Sequence, residues 1–307
     1  MQESKLKHYL HLHFIVFIWG FTAILGALIS IDAVPLVWYR MLLAVIFIAI
    51  YFLLKKKTFF IEKKSVWKFV LTGIIIALHW ITFFLAIKVS TVSVALVTMS
   101  TGAFFTSFIE PFFFKRRIKS VEVLLGVLVL IGLYIIFKFE SQYTLGIVYA
   151  LISSMLSALF SVLNGLYVKK YDANVISFYQ LLFGVIFITI FLALQGEFDI
   201  SFFNLETMDW LWLFILSSIC TAYAFIASVK IMKYLTPYTV MLTINLEPIY
   251  AIILALIIFG KKEEMNSEFY LGALIVLGVV LLNGMIKGVK KVKNKRKNTA
   301  NLKRKNL

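Results

Sequence analysis

Cysteine is almost missing from this chain: Cys220 stands alone among 307 residues. A single thiol allows no internal disulfide and no thiolate metal cluster. Proline is scarce, with four residues, and 15 acidic side chains face 31 Lys and Arg. Long polar stretches are lacking too, so no soluble domain is inserted between the apolar runs. No glycine-rich phosphate loop, HExxH pair or GxSxG elbow occurs, and no nucleophile stands paired with a base. These absences argue against an enzyme, an intramembrane hydrolase included. His8, His11 and His13 are close in sequence, but their spacing fits no metal cluster. No metal and no cofactor is expected.

What is present is apolar. Hydrophobic residues make up 62% of the chain and mean hydropathy is +0.95, against about 45–50% apolar in soluble domains. A hydrocarbon core about 30 Å thick needs about 20 apolar residues per crossing helix. Ten such segments can be read: 10–30, 34–54, 67–87, 91–113, 120–138, 145–167, 174–195, 210–230, 237–259 and 268–287. Lipid leaves no backbone group unsatisfied, so these are helices or barrel strands, and unalternating runs of this length exclude a barrel. Lys5 and Lys7 ahead of an apolar run imitate a secretory signal. Another apolar run follows almost at once, so the first segment is read as a retained helix.

The chain repeats itself. At a shift of 140, Tyr39, Leu42, Val45, Ile46 and Phe47 meet identical residues. At 145, Trp67 meets Trp212, Lys88 meets Lys233, Thr91 meets Thr236 and Thr98 meets Thr243; at 146, Glu122 meets Glu268, and Gly126 and Gly132 meet Gly272 and Gly278. Chance matches between apolar helices seldom keep Trp, Lys, Thr and Gly in one order, so the pattern reads as a duplication. The halves are 1–140 and 141–290, followed by a basic tail, 291–307. Five crossings per half is an odd number, so the copies lie upside down to each other. That plan places a solute site between the halves at mid-bilayer. Gly126, Gly132, Gly272, Gly278 and Gly284 give spans five and ten small faces suited to close packing.

Charge sets the orientation. With the N-terminus inside, the inner loops carry sixteen Lys and Arg, from Lys5 to Lys233, and the outer loops four: Lys88, Lys138, Lys261 and Lys262. This asymmetry puts both termini in the cytoplasm and makes the chain a multi-pass protein of the plasma (inner) membrane. The tail suits anionic lipid. No aromatic residue interleaves its basic ones, so it is a poor single-strand platform and no nucleic acid is expected.

Polar residues inside spans are costly and become site candidates. Glu247 lies mid-span beside Asn245, and Pro248 frees the carbonyl of Ile244, so a carboxyl here could hold a substrate amine or a proton. Arg40, near the outer end of span two, could clamp a carboxylate with its fork or snorkel outward. Gln180 is its mate in the second half. His79 sits near the middle of span three beside Trp80; it could serve a ligand or a proton, or be a satisfied core histidine. Trp19, Trp80, Tyr39, Tyr179 and Tyr223 could wall a cavity or simply pack. Thr98, Ser100, Thr101 and Asn245 offer hydrogen bonds in spans four and nine. Glu110 is expected in a structural ion pair with Lys115, Arg116 and Arg117. The candidate substrate contacts are therefore Trp19, Arg40, His79, Trp80, Thr98, Gln180, Tyr223, Asn245 and Glu247.

Several stretches resemble the EamA-like members of the drug/metabolite transporter superfamily. They are Phe17-Ile18-Trp19-Gly20-Phe21-Thr22, Tyr39-Arg40-Met41-Leu42-Leu43-Ala44, Leu246-Glu247-Pro248, and Leu271 to Val279. The resemblance covers about residues 10–290. It implies ten helices in an inverted repeat and a cavity lined by spans one to four and six to nine. It also implies ATP-independent export or exchange of amino acids and other small metabolites. Two features depart from the pattern: span four lacks a proline near Gly102 or Ala103, and Lys115-Arg116-Arg117 follow it where an acidic residue is usual.

The reading that results is an all-α membrane protein working as a secondary transporter of small polar metabolites by alternating access, with protons as a possible coupling ion. The alternatives are a non-transporting membrane receptor or assembly protein, and a transporter of drugs or sugars.

Overall fold

The structure, a computed structural model, describes residues 2–56, 58–115, 117, 118, 120–279 and 282. The tail 291–307, Gly284 and the end of the tenth apolar segment lie outside the described residues. Every described regular element is helical. Eight helical paths are long and apolar enough to cross a membrane: Leu6–Leu28, Ala33–Leu54, Lys63–Val89, Val92–Phe114, Ser141–Tyr167, Ala173–Gln195, Thr207–Ile231 and Pro237–Glu263. Two shorter apolar helices, Leu124–Ile136 and Ser267–Val279, occupy the places of segments five and ten. The chain is thus a multi-pass membrane protein. Spans keep the sequence-derived numbers one to ten below.

Three spans are not simple helices. Span four is split into α4 (Val92–Met99) and α5 (Gly102–Phe114). Span nine is split into α12 (Pro237–Ile244) and α13 (Glu247–Phe259). Span eight carries a π-helix, Ser218–Tyr223, between α10 (Thr207–Ser217) and α11 (Ala224–Ile231). The break in span nine follows from Pro248, which has no N–H to give its fourth predecessor. Span four breaks without a proline; local hydroxyls replace the missing bonds there. The Thr101 hydroxyl donates to the Thr98 carbonyl at 2.8 Å, and the Ser154 hydroxyl of span six donates to the Met99 carbonyl at 3.0 Å.

The two halves pack through each other. Span one packs on nine as four packs on six; two packs on eight as three packs on seven; three packs on six as one packs on eight. Spans two and seven pair, as do four and nine. Exchanging the halves leaves this set unchanged. Small residues permit the closest approaches. A Cβ on Gly73 of span three would stand 2.5 Å from the Gln180 carbonyl oxygen and 3.0 Å from the Gly184 nitrogen of span seven. Gly132 and Gly272 likewise join spans five and ten: a Cβ on either would meet the other's carbonyl oxygen at about 3 Å. The expected small faces are therefore used at Gly126, against Phe104, and at Gly132 and Gly272, whereas Gly278 faces open space.

Matching tethers fix the ends of the bundle. The Tyr39 hydroxyl donates to the Phe202 carbonyl at 3.0 Å, and its repeat mate Tyr179 donates to the Phe59 carbonyl at 2.7 Å. Each thus binds the loop of the other half, away from the central cavity. Asp199 caps the short helix holding Phe202, and bonds from the Ser201 hydroxyl and the Phe202 amide hold its carboxyl below the usual range. Asp209 accepts from the Ser30 amide and hydroxyl at 2.8 and 2.5 Å, while Ser65 and Tyr171 share a hydroxyl bond of 2.6 Å. Spans four and nine cap one another. Glu263, just past α13, accepts from the Val92 and Ser93 amides at 2.9 Å each, at the start of α4. Glu110, near the end of α5, accepts from the Tyr238 amide at 3.2 Å, at the start of α12. Carboxylates at helix N-termini satisfy orphan donors and the helix dipole. Glu110, besides the ion pair expected of it, serves as a buried cap between spans.

Candidate substrate cavity

A buried cavity of about 80 Å³ lies where spans one, two, three, four, six, eight and nine converge. Of the nine predicted contacts, Trp19, Arg40, His79, Trp80 and Glu247 line it.

Arg40 is 2% exposed and does not snorkel. Its Nε donates to the Thr221 hydroxyl at 2.6 Å, and its guanidinium carbon lies 4.0 Å from the centre of the Trp80 ring. Stacking on an indole face stabilises a cation where water is excluded. One terminal nitrogen, Nη1, is buried without a partner among the described residues, and no ion pair joins Arg40 to Glu247. An orphaned buried donor on a cation is costly, and an incoming anion would remove that cost.

The π-helix of span eight builds this support. A π turn bonds each residue five back and leaves local backbone groups free. The Thr221 hydroxyl donates to the carbonyl of Leu216, five residues earlier, and faces Arg40. The Cys220 carbonyl accepts from the Trp19 ring nitrogen at 3.0 Å. One bulge therefore orients both Arg40 and Trp19.

The two helix breaks differ. In span four the freed carbonyls are taken up inside the protein: the Ser154 hydroxyl donates to the Met99 carbonyl and lies 2.9 Å from the Thr101 hydroxyl. In span nine the Glu247 carboxyl lines the cavity and has no hydrogen-bond partner among the described residues. The amide nitrogen of Asn245, 3% exposed, is also unpartnered. Asn245 lines a small adjoining recess that Glu247 shares. Thr98 Oγ1 at the span-four break is likewise unpartnered among the described residues, but only the proline break brings a charged side chain, Glu247, to the central cavity.

His79 is held firmly. Its Nδ1 lies 2.9 Å from the Ser153 carbonyl and 2.8 Å from the Ser153 hydroxyl, which in turn donates to the His79 carbonyl at 2.8 Å. The ring still borders the cavity.

Three predicted contacts lie elsewhere. Thr98 is fully buried beside the span-four break and does not line the cavity. Gln180 sits one layer behind the wall, donating to Thr72 at 3.0 Å and to the Asn164 side-chain oxygen at 2.6 Å; Asn164 is the lining residue. Tyr223 is 43% exposed and faces a separate cleft, where its hydroxyl bonds His11 at 2.9 Å. An inserted π residue rotates everything after it relative to a regular helix, so position along the span misplaces Tyr223.

Sequence reasoning missed most of span six. Ser157, Ser161 and Asn164 line the cavity, with Ser153 and Ser154 just above. The signal was available, since 153, 157, 161 and 164 fall at helical spacing on one face. Thr22 and Ser228 complete the polar lining, and Phe83, Phe160 and Phe225 the aromatic walls.

Known proteins agree with this architecture. A solved crystal structure of another protein aligns with 90% of this chain and 96% of its own, with a TM-score of 0.65 and 14% identity, a likeness of fold alone. An uncharacterized transporter of Clostridium kluyveri is 27% identical over 210 residues, covering 64% of this chain and 63% of that relative's length. An uncharacterized transporter of Archaeoglobus fulgidus is 24% identical over 203 residues, 65% of this chain and 69% of the relative. The EamA-like transporter family matches twice, over residues 7–138 and 144–285, one match in each half. With both halves matched, the chain belongs to the EamA-like transporter family.

Proposed function

We propose that the chain is a secondary transporter that exports or exchanges small zwitterionic solutes, amino acids first among them, without ATP. The observation that carries this reading is a pair of unsatisfied groups on one cavity. Arg40 offers a buried N–H with no acceptor among the described residues, and the Glu247 carboxyl faces the same cavity with no hydrogen-bond donor among them. A solute with a carboxylate at one end and an ammonium at the other satisfies both. A neutral sugar satisfies neither charge. Drug-sized molecules occupy pockets of roughly 300–1,000 Å³, far above the 80 Å³ found here.

Ten spans arranged as two inverted repeats, 1–140 and 141–290, give such a site its alternating access. Three pairs of tethers support the inversion, because each contact of one half recurs in the other at the opposite end of the bundle. Rocking would break the Glu263 cap at one face and the Glu110 cap at the other in turn. The basic face is the cytoplasmic one, with both termini on it. Glu247 is also the group best placed to carry a coupling proton when the solute's ammonium is absent.

Counterflow of labelled amino acids into proteoliposomes tests the reading. Uptake is expected with the natural protein and is expected to fall to background with Glu247→Gln and with Arg40→Ala. Unchanged uptake in both variants would assign the site elsewhere.

A further inference from the structure

A second cavity opens on the side of the bundle. It has a volume of about 400 Å³, against about 80 Å³ for the central one. Its walls come from spans one, two and eight and the start of span seven. The lining is graded. His11, Lys230 and Asn174 lie toward the end where the basic loops gather; Phe47, Ile48, Ala222 and Ile226 continue along the wall. No acidic residue lines it among the described residues. Lys230 is exposed and makes no ion pair among the described residues. The π-helix forms the deep wall through Ser218, Ala222 and Tyr223, and the Tyr223 hydroxyl anchors His11 across the cleft.

We infer that this cleft is a binding site for one anionic phospholipid, with its phosphate at Lys230 and His11 and an acyl chain along Phe47, Ile48 and Ile226. A cationic head beside an apolar trough at membrane depth matches that chemistry. A soluble anion would have no use for the apolar wall. A cationic amphiphile would meet Lys230 at the wrong end. The site is separate from the Arg40–Glu247 cavity, but the two share the π-helix that holds Arg40 and Trp19. The inference needs only that the basic face be the lipid-headgroup side; it does not depend on what is transported.

Native mass spectrometry of the full-length purified protein, titrated with phosphatidylglycerol or phosphatidylcholine, tests it. The natural chain should retain one phosphatidylglycerol well beyond phosphatidylcholine. Lys230→Gln should weaken that adduct by about fivefold, the effect of one close basic residue, whereas Lys233→Gln should not. Ser218→Phe, which fills the deep end, should remove it. Melting temperatures near that of the natural chain show the variants are folded. Equal retention of the two lipids would overturn the proposal, as would an adduct unchanged by either Lys230→Gln or Ser218→Phe. Displacement by excess glycerol 3-phosphate would make it a site for soluble anions, and a dimer mass in place of the lipid would make it a contact between copies; either result also overturns it.

Discussion

Arg40 illustrates what a single residue can and cannot announce. A lone arginine within an apolar run is visible in the sequence, and so is its cost in lipid. Whether it snorkels or turns inward depends on Thr221, Trp80 and Phe84, which come from distant spans. Because the fork itself is used, with Nε on Thr221 and Nη1 free, charge alone is not enough. Arg40→Lys keeps the charge and loses the fork. Its apparent affinity in counterflow is expected to be about 10–100-fold weaker, the loss of one or two charge-assisted hydrogen bonds. Near-natural affinity would mean that the guanidinium geometry is irrelevant. Glu247 stands out in the sequence in the same way, as a carboxyl in mid-span, and the structure brings it to the cavity wall. Gln180 and Thr98 were misplaced because depth along a span does not give the direction a side chain faces.

Irregular helices decide the site at the next scale. The proline break of span nine can be read from the chain. The break of span four cannot, because serine and threonine hydroxyls make it, and those residues also occur in intact membrane helices. Ser154→Ala would leave the Met99 carbonyl short of a partner. A stability loss of about 1–3 kcal/mol is expected, visible as a lower melting temperature in detergent; no loss would mean that water replaces the hydroxyl. The π-helix has no sequence signature either, since its value lies in contacts with Arg40 and Trp19. Thr221→Val preserves shape and removes the acceptor for Arg40 Nε. Substrate affinity is expected to fall about tenfold, in line with a hydrogen bond to a charged group, with expression and melting little changed. A variant that binds normally would show that Arg40 is positioned by Trp80 alone.

Over the whole molecule, the duplication was the most legible feature, because Trp, Lys, Thr and Gly matches survive where aliphatic ones blur. The pairing of the halves was not legible: which spans touch depends on Gly73 and Gly184, on the cross-caps at Glu110 and Glu263, and on tyrosine tethers between distant loops. Inversion predicts that the Tyr39–Phe202 and Tyr179–Phe59 tethers lie on opposite faces. In a Cys220→Ser background, Lys64→Cys should be labelled only from the cytoplasmic side and Asn204→Cys only from outside. Labelling of both from one side would remove the inverted arrangement. The claim at the centre is that a solute bridges Arg40 and Glu247 between the two halves. It is tested most directly by competing labelled alanine counterflow with unlabelled alanine, propionate and ethylamine. The account predicts that alanine competes and that each single-charge analogue is at least tenfold weaker. Equal competition by propionate or ethylamine would contradict it.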